Sequence, residues 1–270
     1  MPHPMPPPAI SAAKPATILV FDSGLGGLTV FREIAVALPD ARYVYVADDA
    51  GFPYGNQPED ALIARVLDVI GAAIAEHAPD LVVVACNTAS TLALAELRAR
   101  FSVPFVGTVP AIKPACAQSR SKRVAVLGTQ ATVNREYTRA LIREFAAGCD
   151  VVLVGSPRLA GFAEAELAGA PVTDAAIKAE IAACFVDAEQ RRTDTVVLAC
   201  THYPLLLDRF RANAPWPVEW LDPAPAIARR VADLIRQRLP ASPPTPPRIV
   251  FTSGRPPSPA LAAALAKYGF

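Results

Sequence analysis

The chain is 270 residues long, 52% hydrophobic and 19% charged. That balance excludes a disordered polymer and leaves room for one large domain or, the reading adopted, two ordinary ones. Its 26 Lys and Arg against 25 Asp and Glu give no electrostatic footprint for nucleic acid or an anionic membrane, so the expected partner is a small molecule.

Residues 1–16 hold Pro2, Pro4, Pro6, Pro7, Pro8 and Pro15, a density that blocks helix and ladder formation and predicts an extended tail outside the fold. No signal-peptide order is present and no apolar run reaches the length of a membrane span, so the expected compartment is the cytoplasm. Order is expected from Thr17-Ile-Leu-Val-Phe21, a strand that stops at Asp22-Ser23-Gly24-Leu25-Gly26-Gly27 and yields to a helical pattern through Leu38. Further strands are expected at Tyr43–Ala47, Leu81–Ala85, Phe105–Gly107, Val124–Leu127, Val151–Val154, Val196–Ala199, Val218–Leu221 and Ile249–Thr252, with helices between most of them. Strand and helix in alternation mean α/β with mainly parallel pairing. A break is expected near Gly107-Thr108-Val109-Pro110, because a second series starts at Arg123-Val-Ala-Val-Leu127 much as the first began, like a diverged internal duplication. The proline-dense stretch Pro240–Pro247 reads as a stiff linker before the last strand.

Two segments are nearly alike: Leu81-Val-Val-Val-Ala-Cys86-Asn87-Thr88 and Thr195-Val-Val-Leu-Ala-Cys200-Thr201-His202. Each would set a thiol where a strand's carboxyl end opens into a loop, the place where open α/β sheets hold their ligands. A free cysteine is usually a small core residue, and that reading is kept for Cys116, Cys149 and Cys184. The doubled context of Cys86 and Cys200 points to chemistry instead. An unperturbed thiol, with a pKa of roughly 8.5, is mostly protonated at neutral pH and needs neighbouring groups to act as a base. His202, two residues beyond Cys200, can relay a proton or serve only as a structural hydrogen-bonder. Five cysteines without a CxxC pair, and three histidines (His3, His77 and His202) without metal-ligand spacing, give no disulfide framework and no metal site.

The glycine turn is a broken dinucleotide fingerprint, since Thr29 stands where the last glycine belongs. It remains either a tight turn or a functional one in which Asp22 and Ser23 face the same opening as Cys86 and the carboxylate orients or deprotonates a thiol or the substrate. Pro53-Tyr54-Gly55 reads only as a turn, and Thr129 and Thr132 either cap the next helix, grip a carboxylate, or do both.

Taken together, Phe21-Asp22-Ser23-Gly24-Leu-Gly26-Gly27-Leu-Thr-Val30, Pro53-Tyr54-Gly55, Ala85-Cys86-Asn87-Thr88-Ala89 and Ala199-Cys200-Thr201-His202-Tyr203-Pro204 resemble the glutamate racemase family, cofactor-independent enzymes of bacterial cell-wall synthesis. The resemblance implies two pseudo-symmetric α/β domains with the active site in the cleft between them, residues 17–109 plus 224–270 forming one and 110–223 the other, and a homodimer. It implies that Cys86 and Cys200 exchange the α-proton of glutamate across the substrate, with Asp22 assisting Cys86 and His202 assisting Cys200. Ser23, Pro53, Tyr54, Gly55, Asn87, Thr88, Thr129, Thr132 and Thr201 would hold the substrate. A further acidic helper matches Glu164 better than Glu166, although the family's Cys-Pro stretch reads Ser156-Pro157 here. Physical logic agrees with the resemblance: enantiomers have equal free energy in water, so matched bases on opposite faces let one site run both ways. The rival readings are an aspartate racemase or other relative, a one-thiol decarboxylase, a two-lobed binding protein for small acids, and a redox sensor that joins the two thiols.

Overall fold

A computed structural model describes residues 15–235 and 245–270; the expected tail up to residue 14, and the expected linker up to residue 244, lie outside the described residues. The first half runs β1 (Thr17–Asp22), α1 (Leu28–Ala37), β2 (Arg42–Ala47), α2 (Glu59–His77), β3 (Leu81–Val84), α3 (Asn87–Arg100) and β4 (Phe105–Gly107). Then come α4 (Ile112–Gln118), β5 (Arg123–Thr129), α5 (Gln130–Asn134), α6 (Glu136–Phe145), β6 (Asp150–Ser156), α7 (Leu159–Leu167) and α8 (Asp174–Ile181). A short antiparallel hairpin of β7 (Asp187–Ala188) and β8 (Arg191–Arg192) precedes β9 (Thr195–Ala199), α9 (Leu207–Asn213) and β10 (Glu219–Leu221). The chain ends with α10 (Ala224–Ile235), β11 (Arg248–Phe251) and α11 (Pro259–Ala266).

These strands build two parallel sheets, one ordered β11-β2-β1-β3-β4 and the other β10-β9-β5-β6. Read from the opposite edge, the second order is β6-β5-β9-β10, the same winding as β2-β1-β3-β4. The halves therefore correspond strand by strand, β1 with β5, β2 with β6 and β3 with β9, and β11 is an addition at the edge beside β2. Both faces of each sheet are covered, which is why the strands read as continuous apolar runs rather than alternating ones. On β1, Ile18 and Val20 pack into one core while Leu19 and Phe21 pack into the other. On β5, Ala125 and Leu127 face one side and Val124 and Val126 the other.

The chain crosses between the sheets after β4, where Ile112 of α4 enters the core under the second sheet. It returns after β10, where α10 lays Ile227, Val231 and Ile235 against the first sheet and α1. Helix starts follow local chemistry: the Thr173 and Ser258 hydroxyls accept from the Ala176 and Leu261 N–H groups at the starts of α8 and α11. All carboxyl ends of the central strands consequently open toward the seam between the halves.

Candidate active site

The parity of β3 and β9 sets the two thiols. Cys86 continues the face of Val82 and Val84, and Cys200 that of Val196 and Leu198, so each sulfur leaves its sheet at the corresponding strand end. Both line one cleft between the halves. Both thiols are free and nearly buried, at 5% and 6% exposure.

Cys86 is the N-cap of α3: its sulfur accepts the Ala89 N–H at 3.5 Å and donates to the Ser23 hydroxyl at 3.6 Å. A helix N-terminus favours a thiolate. Burial opposes it more strongly, and with the Asp22 carboxylate nearby the Cys86 thiol is pushed up to about 12, so at rest it carries its proton. Asp22, fully buried, does not touch this sulfur; it accepts the Gly24 N–H at 3.1 Å and, across the seam, the Thr201 hydroxyl at 3.1 Å.

On the other side, His202 Nδ1 stands 3.9 Å from the Cys200 sulfur and Nε2 stands 2.8 Å from Glu164 Oε1. Burial works against the imidazolium, but the bonds to Cys200 and Glu164 and the charge of Asp22 outweigh it, holding His202 well above its ordinary value. The same Glu164 oxygen accepts the Leu25 N–H at 2.6 Å, joining the halves a second time. Glu166 instead pairs with Arg209, away from the thiols. The Phe52 ring packs on the His202 ring with centroids 5.4 Å apart.

The glycine turn is explained by closeness rather than by backbone angle. A side chain at Gly24 would collide with the Glu164 carboxylate, and a Cβ at Gly26 would lie 2.6 Å from the His202 backbone nitrogen. Glycine is what lets the first half approach His202 and Glu164.

Thr88, Thr129 and Thr132 form a triangle of hydroxyls, with Thr88 3.2 Å from Thr129, 3.4 Å from Thr132, and those two 3.0 Å apart. Thr129 also caps α5 by accepting the Thr132 N–H, the helix-start role expected of it. Among the described residues, neither side-chain amide atom of buried Asn87 finds a hydrogen-bond partner, which leaves both for a ligand in the cleft it lines. Pro53, Tyr54 and Gly55 line the cleft too, but the Tyr54 hydroxyl turns away to donate to Asp48. Thr201 lines it with its hydroxyl committed to Asp22, as does Ser23 beside Cys86. Thus the cleft gathers all the expected residues except Asp22, Thr132 and Glu164, which stand behind its wall in hydrogen-bond contact with Thr201, Thr88 and His202.

Sequence reasoning missed Phe52, Asn56, Gln130, Ser156, Pro157 and Ala160 as lining residues. Ser156 was recoverable in principle, because it ends β6, the counterpart of β2, whose end leads into Phe52–Asn56. No three His, Cys, Asp or Glu side chains cluster as metal ligands among the described residues.

A family model described as Asp/Glu/hydantoin racemase matches residues 20–231. A glutamate racemase of Brucella canis is 56% identical over 232 residues, covering 86% of this chain and 83% of its own. Among solved structures, Escherichia coli glutamate racemase, described in complex with L-glutamate and the activator UDP-MurNAc-Ala, superposes with a TM-score of 0.87 at 40% identity, covering 95% of this chain and 96% of that one. The Thermus thermophilus glutamate racemase, in complex with β-chloro-D-alanine, gives 0.74 at 30% identity over 94% of each chain.

Proposed function

The chain belongs to the Asp/Glu/hydantoin racemase family, and we propose that within it the chain interconverts L- and D-glutamate by moving the α-proton between Cys86 and Cys200. The observation that carries this reading is the pair of free thiols at corresponding strand ends of two equivalently wound halves, lining one cleft.

One thiolate removes the α-proton while the opposite thiol delivers a proton to the other face; for the other enantiomer the roles swap. At rest Cys86 is the acid, since burial and Asp22 keep its proton on. On the Cys200 side, His202 stands 3.9 Å from the sulfur, where as an imidazolium it balances a thiolate or returns a proton, and Glu164 in turn balances that charge. Asp22 supports Cys86 indirectly, by fixing the Gly24 turn and Thr201 and by its charge. The carbanion formed next to a carboxylate needs preorganised donors in a water-poor site. Asn87, the Thr88–Thr129–Thr132 triangle and the N–H groups opening α3 and α5 supply them. The substrate-binding set is then Ser23, Pro53, Tyr54, Gly55, Asn87, Thr88, Thr129, Thr132 and Thr201, with the Tyr54 hydroxyl held by Asp48. This chemistry calls for no cofactor.

The domains are drawn at 17–109 plus 224–270 and at 110–223. The D-glutamate would feed peptidoglycan assembly in the cytoplasm, a compartment supported by five cysteines that stay as thiols; no helix among the described residues is long and apolar enough to cross a membrane. A homodimer is the expected assembly. Light scattering at micromolar concentration reads it directly.

The test of the activity is incubation of the purified protein with L-glutamate alone, followed by optical rotation. Decay to zero rotation, with L-aspartate left unchanged, is the expected result; unchanged rotation with L-glutamate removes the proposal.

A further inference from the structure

Behind the cleft lies a buried carboxylate that the proton transfer does not use. Asp48, just beyond β2, is fully buried. One of its oxygens accepts from Arg65 Nε on α2 at 2.6 Å and from the Tyr54 hydroxyl; the other accepts from Arg65 Nη2 at 2.6 Å and from the Thr252 hydroxyl beyond β11. Its neighbour Asp49 accepts the Ser253 N–H at 2.9 Å and the Ser253 hydroxyl. Gly51 makes the arrangement possible, because a Cβ there would lie 2.7 Å from the Asp48 carboxylate and collide with Arg65. The Gln57 side chain closes the loop by donating to the Gly51 carbonyl.

What this network holds is the wall of the site. The segment Phe52–Asn56 lines the cleft along its whole length, packs Phe52 on His202 and brings Gly55 against Thr129 of the other half. Nothing in that segment is regular beyond a single 3₁₀ turn at Tyr54–Asn56, so its position depends on what grips it. A buried ion pair adds little net stability over a well-packed apolar substitute, but a planar guanidinium forked onto a carboxylate fixes direction well.

We propose that Asp48, gripped by Arg65 and Thr252, is a positioning residue that holds the Phe52–Asn56 wall against the substrate, so that the C-terminal strand β11 sets the affinity for glutamate. The proposal rests on the racemase reading for its substrate. Tyr54 is then an anchor point of the wall, its hydroxyl bonded to Asp48 and its ring packed on Phe21 in the core.

The experiment compares Arg65→Met, Asp48→Asn and Thr252→Val with wild type by steady-state kinetics in both directions and by hydrogen–deuterium exchange. Expected is a rise in KM for glutamate of about tenfold for Arg65→Met and Asp48→Asn and about threefold for Thr252→Val, with kcat changed much less. Amide exchange within 49–57 should speed up in each variant. Arg65→Lys should recover only part of the loss, because one ammonium does not replace the fork. Arg192→Gln, which breaks the pair with Asp187 on the distant hairpin, should change neither readout. Should Asp48→Asn fail to fold, Thr252→Val, which keeps the Arg65 pair, still decides. Folded variants with wild-type KM and wild-type exchange across 49–57 overturn the proposal, as does a loss confined to melting temperature. A wild-type protein inactive on glutamate would instead refute the racemase reading, and the exchange data would still test the positioning.

Discussion

At the scale of single residues, the two thiols sit in unequal surroundings. Cys86 is buried beside a carboxylate and accepts an N–H from the start of α3, whereas Cys200 faces the His202 imidazole, whose affinity for a proton is raised by its partners. Replacing either sulfur removes a general acid–base group, so Cys86→Ala and Cys200→Ala should each lower kcat by about 10²–10⁴ while circular dichroism and melting stay close to wild type. The inequality cannot appear in kcat/KM. Because the enantiomers are equal in free energy, kcat/KM must remain the same in the two directions for every variant, and asymmetry can enter only kcat and KM separately. For His202→Gln we expect kcat/KM to fall about 10²-fold in both directions alike, with kcat falling more in one of them. Stability gives a further check on Cys86. Its folded value lies above its ordinary 9.0, at about 12, so the folded chain holds the thiol proton more tightly. That contribution is complete below pH 9 and is lost as pH rises toward 12, and Cys86→Ala should make the alkaline loss of unfolding free energy shallower by about 1 kcal/mol per pH unit.

At the scale of elements, the turn between β1 and α1 joins the halves by being narrow. Gly26→Ala would press a methyl on the His202 backbone, and overpacking of this kind costs about 1–3 kcal/mol. Thermal melting should register that loss, and kcat/KM should drop because His202 and Glu164 are displaced together. The turn was visible in the sequence as a cluster of glycines, but its reason was not. The partners of Gly24 and Gly26 lie at residues 164 and 202, and no local pattern reports a contact between them. Strands were legible for the complementary reason: both faces of each sheet are covered, so runs such as Leu81–Val84 and Thr195–Ala199 are apolar without interruption and end where the thiols begin. Local chemistry also made Thr129 legible as a cap. Phe52, Asn56 and Gln130 were not legible, since they line the cleft only once the two halves have docked.

Across the whole molecule, equivalent winding of the two sheets makes Cys86 the counterpart of Cys200, and the strand registers then match Ser23 with Thr129 and Asp48 with Ser156. The seam is closed mainly by bonds that belong to the site itself: Asp22 with Thr201, Glu164 with the Leu25 N–H, and Thr88 with Thr129. Among the described residues, one side-chain ion pair spans the halves, Arg135 with the largely exposed Glu59. A pair with one exposed member is worth little, so Glu59→Gln should cost under about 1 kcal/mol in denaturant unfolding. Opening for substrate therefore has to break the same contacts that organise catalysis, and glutamate should slow amide exchange at residues 22–27 and 199–202 together. The most direct test of two opposed thiols is the initial turnover of L-glutamate in deuterium oxide. If one sulfur takes the proton and the other delivers a solvent-derived one, the first D-glutamate formed carries α-deuterium while the remaining L-glutamate carries none. Equal early labelling of both enantiomers would mean a single base serving both faces, and would contradict the account.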